Sequence, residues 1–165
     1  MDYMIERGTA DMIEYRKAGL GDIAELARMR IEFLNEVQTL EAGIGNDELY
    51  VNLKKYFLEN MNTGCFMAWI ATDDEAIVGI SGIYFYSLPP SYKKPNGKVA
   101  YIMNMYTRPA YRGKGIAPTL FGRLIEESKK RGCEKISLNA TDMGKPIYQK
   151  FGFKVSENDM VMDLL

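Results

Sequence analysis

The chain has 165 residues, with 21 Lys and Arg against 22 Asp and Glu and a formal net charge of -1. That length suits one domain able to bury about 70% of its unfolded surface without staples, and the balanced charge lacks the basic excess that nucleic-acid binding demands. There is no histidine, which removes Ser-His-Asp catalysis, Cys-His catalysis and histidine-based zinc sites together.

Met1 to Asp11 show no clear periodicity and carry Asp2, Glu6 and Asp11 where a signal peptide would need an apolar core. They are read as a leader or extension, residues 1–11, before a single domain over residues 12–165. Met12 to Arg16 predicts a short strand. Asp22 with Glu25 three residues on has capping-box spacing, and Ile23, Leu26, Ala27, Arg30, Phe33 and Leu34 follow at helical spacing. A second helix is expected over Asp47 to Asn60, with Leu49, Leu53, Tyr56 and Phe57 on one face. Phe66 to Ala71 and Ala76 to Tyr86 predict a hairpin across Asp73-Asp74. Leu88 to Lys98, with Pro89-Pro90, Pro95 and Asn96-Gly97, is a loop; Val99 to Thr107 is the next strand.

The following helix carries Ile116, Leu120, Phe121, Leu124 and Ile125 as its buried stripe and Gly132 as its C-terminal cap. Pro118 falls in its first turn, where no intrahelical hydrogen bond is lost. Lys135 to Ala140 predicts a strand, Lys145 to Phe151 a short helix and Met160 to Leu164 a closing strand. Strands followed by helices imply an α/β fold, a mixed sheet covered on both faces. No apolar run approaches the roughly 18 residues that span a bilayer, so no membrane partner is expected. Cys65 and Cys133 form no motif and fit a reducing, cytoplasmic setting.

The chemistry concentrates where the strand ending at Thr107 passes through Arg112-Gly-Lys-Gly-Ile-Ala117 into a helix. Gly113 and Gly115 allow close approach of backbone to a ligand, and the first N–H groups of the helix lack intrahelical partners at the positive end of its dipole. That combination suits a phosphate or diphosphate. It is no Walker A loop, because Gly115 follows Gly113-Lys114 where Ser or Thr is required and Pro146 follows Gly144-Lys145. It is a poor dinucleotide fingerprint too, with Pro118 at the position of the third glycine.

Arg112-x-x-Gly115-x-Ala117 instead resembles the (Arg/Gln)-x-x-Gly-x-(Gly/Ala) signature of the GNAT superfamily of N-acetyltransferases. Ile147-Tyr-Gln-Lys-Phe-Gly-Phe153 is similar to the Leu-Tyr-x-x-x-Gly-Phe ending of the same superfamily, at the family's spacing, and Met12 to Leu26 looks like its opening strand and helix. The resemblance covers roughly Met12 to Leu165. It implies the acyl-coenzyme A N-acyltransferase fold, in which two central parallel strands splay and the coenzyme arm lies in the gap. The co-substrate is then acetyl-CoA, the acceptor a small-molecule amine, and no metal is involved. A homodimer is compatible with it.

By the resemblance, Arg112, Gly113, Lys114, Gly115, Ile116, Ala117 and Pro118 form the diphosphate loop, with backbone N–H groups of Arg112, Gly113, Gly115 and Ala117 as donors. Pro118, lacking an N–H, departs from the pattern. Met105, Tyr106 and Thr107 match the strand end that pairs with the pantetheine arm, the Met105 N–H being the oxyanion donor. Tyr148 matches the tyrosine that protonates the leaving thiolate. Thr141 and Gly144 stand where the family often has Asn and Ala, with Asn139 an alternative donor. No acid lies between Val99 and Thr107, so deprotonation of the amine would go through water held by Asn104, Tyr84 or Glu32. Glu32, Glu36, Glu41, Asp47 and Glu48 cluster where family members shape the acceptor site, which favours a cationic amine. With no imidazole to activate either cysteine, a covalent acyl-enzyme is not expected. Two other readings remain at this level: an acyl-CoA-binding or sensing module without turnover, and transfer to a peptide or protein amine.

Overall fold

Among the described residues, runs of β-branched and aromatic residues form five strands, which follow chain order across one sheet: β1 (Ile13–Lys17), β2 (Phe66–Asp73), β3 (Ala76–Ser87), β4 (Lys98–Thr107) and β5 (Lys135–Leu138). The computed structural model describes residues 12–38, 46–157 and 159–164; the leader, residues 1–11, and Glu41 lie outside these. The first four strands are antiparallel neighbours, and β4 pairs with β5 in parallel. A parallel pair needs a crossover, which α3 (Ile116–Lys130) supplies. The other helices are α1 (Ile23–Gln38), α2 (Asn46–Asn62) and α4 (Lys145–Lys150).

The helices divide between the two sheet faces, as the alternation of strands and helices implies. Ile23, Leu26, Ala27 and Met29 of α1 and Phe57 of α2 pack with Phe66, Ala68, Ile70, Ile80 and Tyr106. On the opposite face Phe121 and Leu124 of α3 meet Ile83, Ala100 and Ile102, and Ile116 and Leu120 meet Ala71 and Val78. Phe121 and Leu124 are fully buried, each contributing about 1.5–3 kcal/mol. α3 ends as its composition predicts: Gly132 takes φ 72°, its N–H donates to Lys129 O at 3.0 Å, and Cys133 N–H donates to Ser128 O at 2.9 Å.

Three expectations need correction. Asp22 closes a 3-10 turn over Leu20–Asp22. It does not cap α1 in partnership with Glu25. Its carboxylate accepts from the Gly19 N–H at 2.8 Å and from both terminal nitrogens of Arg16 at 2.7 and 2.8 Å. Met160 to Leu164 form no strand; Met160, Val161 and Met162 are 97%, 87% and 79% exposed. Apolar content alone does not make a strand when no neighbour receives its N–H and C=O groups. β5 stops at Leu138 and not at Ala140, a difference that opens the site described below.

Glu25 is used elsewhere. With Glu32 it holds Arg108, just beyond β4, at 2.7 and 3.0 Å, while Arg108 also donates to the Ile77 carbonyl at 2.9 Å. This joins α1, β3 and the start of the loop. Arg108→Met is expected to lower the unfolding free energy by about 1–3 kcal/mol, since partly solvated charge-assisted bonds are lost and two carboxylates remain close together. Urea melts of the two proteins measure it; a change below about 0.3 kcal/mol would mean solvent replaces these contacts.

Candidate active site

β4 and β5 stay paired only from Val99↔Lys135 to Ile102↔Leu138. β4 then continues to Thr107 while the chain beyond Leu138 turns away, so the strands part. A cavity of about 930 Å³ occupies the opening. Its walls include Asn104 to Thr107 from β4, Arg112, Gly113 and Gly115 to Pro118 from the loop and α3, Leu138 at the end of β5 with Asn139 to Gly144 after it, and Tyr148 from α4.

On its other edge β4 carries a bulge. Gly82 pairs with Met103 and Ile80 with Tyr106, so β4 has one residue in excess and neither Asn104 nor Met105 has a register partner. Asn104 takes φ 61°, a conformation that asparagine tolerates better than bulkier residues. It is 3% exposed, and neither its Nδ2 nor its Oδ1 has a protein partner. A buried amide left in this state is costly unless a ligand or water completes it. Thr107 Oγ1, also in the wall, is likewise without a partner.

The loop at the far end of β4 has the geometry of an anion cradle. Gly113 and Gly115 adopt φ 77° and 80°, and a Cβ at either would have no heavy atom within 4 Å. The first bond of α3 runs from Thr119 N–H to Gly115 O at 3.2 Å, which leaves the Ile116 and Ala117 amides of the first turn for a ligand. Arg112 behaves differently from expectation. Its N–H donates to Pro109 O at 3.3 Å, and its guanidinium to Thr107 O at 2.9 Å and Glu36 at 2.8 Å, above the Tyr106 ring. It therefore braces the loop against α1 through its side chain, and its amide is already engaged. The Arg112 hydrogen bond holds the Glu36 carboxyl below its usual range, against the opposing effect of burial.

Tyr148 packs on Phe121 at 4.9 Å between ring centroids. Burial raises its phenol above the ordinary value. Gly144 makes room for the ring: a Cβ there would stand 2.9 Å from Tyr148 Cε2. The Thr141 hydroxyl oxygen, also in the wall, accepts from the Gly144 N–H at 3.2 Å. Asn139, exposed, is also in the wall.

Five described sequence candidates fall outside the walls, among them Asp47 and Glu48 in the first turn of α2. Glu32 is held by Arg108. Tyr84 stacks on Tyr86 at 6.2 Å and packs against the α1–α2 core. The Lys114 ammonium lies 5.0 Å from the centre of the Tyr111 ring.

The model of the Acetyltransferase (GNAT) family matches residues 31–153. The chain belongs to that family. A solved structure of a predicted acetyltransferase with acetyl-CoA from Clostridium acetobutylicum is 35% identical, with a TM-score of 0.85 over 93% of this chain and 97% of that one. Glucosamine 6-phosphate N-acetyltransferase of Trypanosoma brucei brucei is 32% identical over 77 residues, which are 47% of this chain and 52% of that protein. The match thus spans about half the length of that curated relative. Mouse thialysine N-epsilon-acetyltransferase is 26% identical over 85% of this chain and 79% of its own.

GNAT enzymes use acetyl-CoA, and the residues present fit it: the open φ-positive glycines and unspent first-turn amides suit a diphosphate, and the gap between β4 and β5 suits an extended arm. Among the described residues no cluster of three or more metal-ligating side chains occurs, and no helix is long and apolar enough to cross a membrane. Cys133 lies outside the cavity walls, and burial pushes its thiol up. Sequence reasoning did not single out Arg30, Phe33, Val37, Met103, Asp142 and Met143, which also line the walls. Arg30 was legible only as a polar residue on an otherwise apolar helical stripe.

Proposed function

We propose that this protein transfers the acetyl group of acetyl-CoA directly to the primary amine of a small molecule. The observation that carries the reading is the opening between β4 and β5, with an anion cradle at its mouth and both a bulged strand and Tyr148 in its walls. The names of two relatives, glucosamine 6-phosphate and thialysine acetyltransferases, favour a small-molecule acceptor over a protein amine.

Acetyl-CoA supplies an activated thioester. The amides of Gly113, Ile116 and Ala117 would hold its diphosphate, and the N–H of Met105, a residue without a register partner at the bulge, would donate to the thioester oxygen as charge develops there; one such donor contributes a few kcal/mol. The amine nitrogen forms the new C–N bond as the C–S bond breaks. Tyr148 gives its hydroxyl proton to the departing sulfur and regains one from solvent, into which the two protons shed by the ammonium pass, so that one proton is released per turnover. An alkyl amine near pKa 10 is roughly 0.1% neutral at pH 7, so its proton must leave. The unsatisfied Asn104 amide is suited to hold the water that takes it.

Release of coenzyme thiol across a panel of primary amines tests this. Thiol release matched by acetylated amine is expected for at least one small amine. Tight acetyl-CoA binding with no release for any amine would instead make the protein a binding module.

A further inference from the structure

Four charged side chains line the cavity among the described residues: Arg30, Glu36, Arg112 and Asp142. Glu36 and Arg112 neutralise one another at 2.8 Å, and Asp142 pairs with Lys145 at 2.8 Å. Arg30 makes no ion pair among the described residues. Its guanidinium lies 5.5 Å from the centre of the Phe33 ring, and the titratable groups that act on its charge are the phenols of Tyr101 and Tyr56. Phenols are neutral at physiological pH. Glu32 and Glu36 are bound by Arg108 and Arg112, and among the charged side chains of the wall Arg30 is left without an opposite charge.

Position separates this charge from the coenzyme's phosphates. Tyr101 and Thr107 are six residues apart on β4, which is about 20 Å of strand, and the cradle follows Thr107. On α1, Arg30 likewise precedes the loop-bound Glu36 by six residues, about 9 Å of helix. An isolated, partly desolvated cation is unfavourable in a mainly apolar wall. Burial accordingly lowers the Arg30 pKa, and an anionic group would relieve the cost.

We infer that Arg30 binds an anionic oxygen group, carboxylate or phosphate, on the acceptor, so that the substrate is a primary amine that also carries negative charge. This rests on the acetyltransferase reading for the amine, while the anion site stands on Arg30 alone. Guanidinium binds both groups through paired N–H donors.

The test uses four linear primary amines of similar length, ending in carboxylate, phosphate, hydroxyl or a second amine. Each is assayed for thiol release and, separately, for calorimetric binding to protein saturated with coenzyme A, using the native chain, Arg30→Gln and Arg30→Lys. One or both anionic amines should be preferred over the hydroxyl amine. Arg30→Gln should raise KM and Kd for the preferred amine by about 10- to 100-fold, with Arg30→Lys recovering part of the loss. Affinity for acetyl-CoA should hold steady, and any loss with the hydroxyl amine should be much smaller than the loss with the preferred anionic amine. The carboxylate and phosphate arms decide which anion is meant. Equal use of all four amines, preference for the diamine, or an anionic preference unchanged in Arg30→Gln would overturn the inference. Arg30-dependent binding of an anionic amine without any thiol release would uphold the anion site and sink the transferase reading. Thiol release without anionic preference would do the reverse, and absence of amine binding in every arm would overturn the anion site.

Discussion

Gly115→Val is expected to weaken acetyl-CoA binding by at least about 100-fold while leaving the sheet and its helices in place. Gly115 stands at φ 80° immediately before α3. A β-branched residue is strongly disfavoured there, at about 1–3 kcal/mol of strain. Its Cβ would enter open space where the ligand backbone must approach. Two effects therefore act together. Relaxing the strain turns the Ile116 and Ala117 amides away from the anion, and the added methyl groups keep phosphate oxygens beyond hydrogen-bond distance. Charge-assisted bonds contribute about 1.5–3 kcal/mol each, so losing two amounts to 100-fold or more. Calorimetric titration with acetyl-CoA, beside a melting curve, measures it. Unchanged affinity in a folded variant would show that the coenzyme does not use this loop.

Tyr148→Phe is expected to reduce turnover by about 10- to 1000-fold, the effect of losing a positioned proton donor that water replaces in part. Affinity for acetyl-CoA should change little, because the ring remains packed on Phe121. The direction of the pKa supports the role. Burial disfavours the phenolate, so the proton is present throughout the neutral range and is lost only above the ordinary phenol value. Any decline in turnover between pH 7 and pH 9 must then have another origin. Steady-state turnover of both proteins on the best amine decides the matter; equal turnover at matched stability would leave Tyr148 a packing residue.

What was legible in the sequence was what short-range spacing encodes. Gly113, Gly115 and Pro118 mark a strand-to-helix turn because their backbone constraints are local, and the apolar stripe of α3 names the core residues Leu120, Phe121 and Leu124 directly. Partners distant along the chain were not legible. Glu32 and Glu36 read as an acidic acceptor surface until Arg108 and Arg112, each 76 residues further on, were brought against them. The bulge at Asn104 has no signature in one strand alone, since it is a mismatch between two. Arg30 fitted the helical stripe because its aliphatic stem packs like an apolar residue; only the cavity reveals its charged end.

Direct transfer is tested most plainly by initial rates of thiol release over a grid of acetyl-CoA and amine concentrations. Direct transfer requires both substrates to be bound at once, so the double-reciprocal lines should intersect. Parallel lines would reveal an acetylated enzyme intermediate and contradict transfer within this cleft.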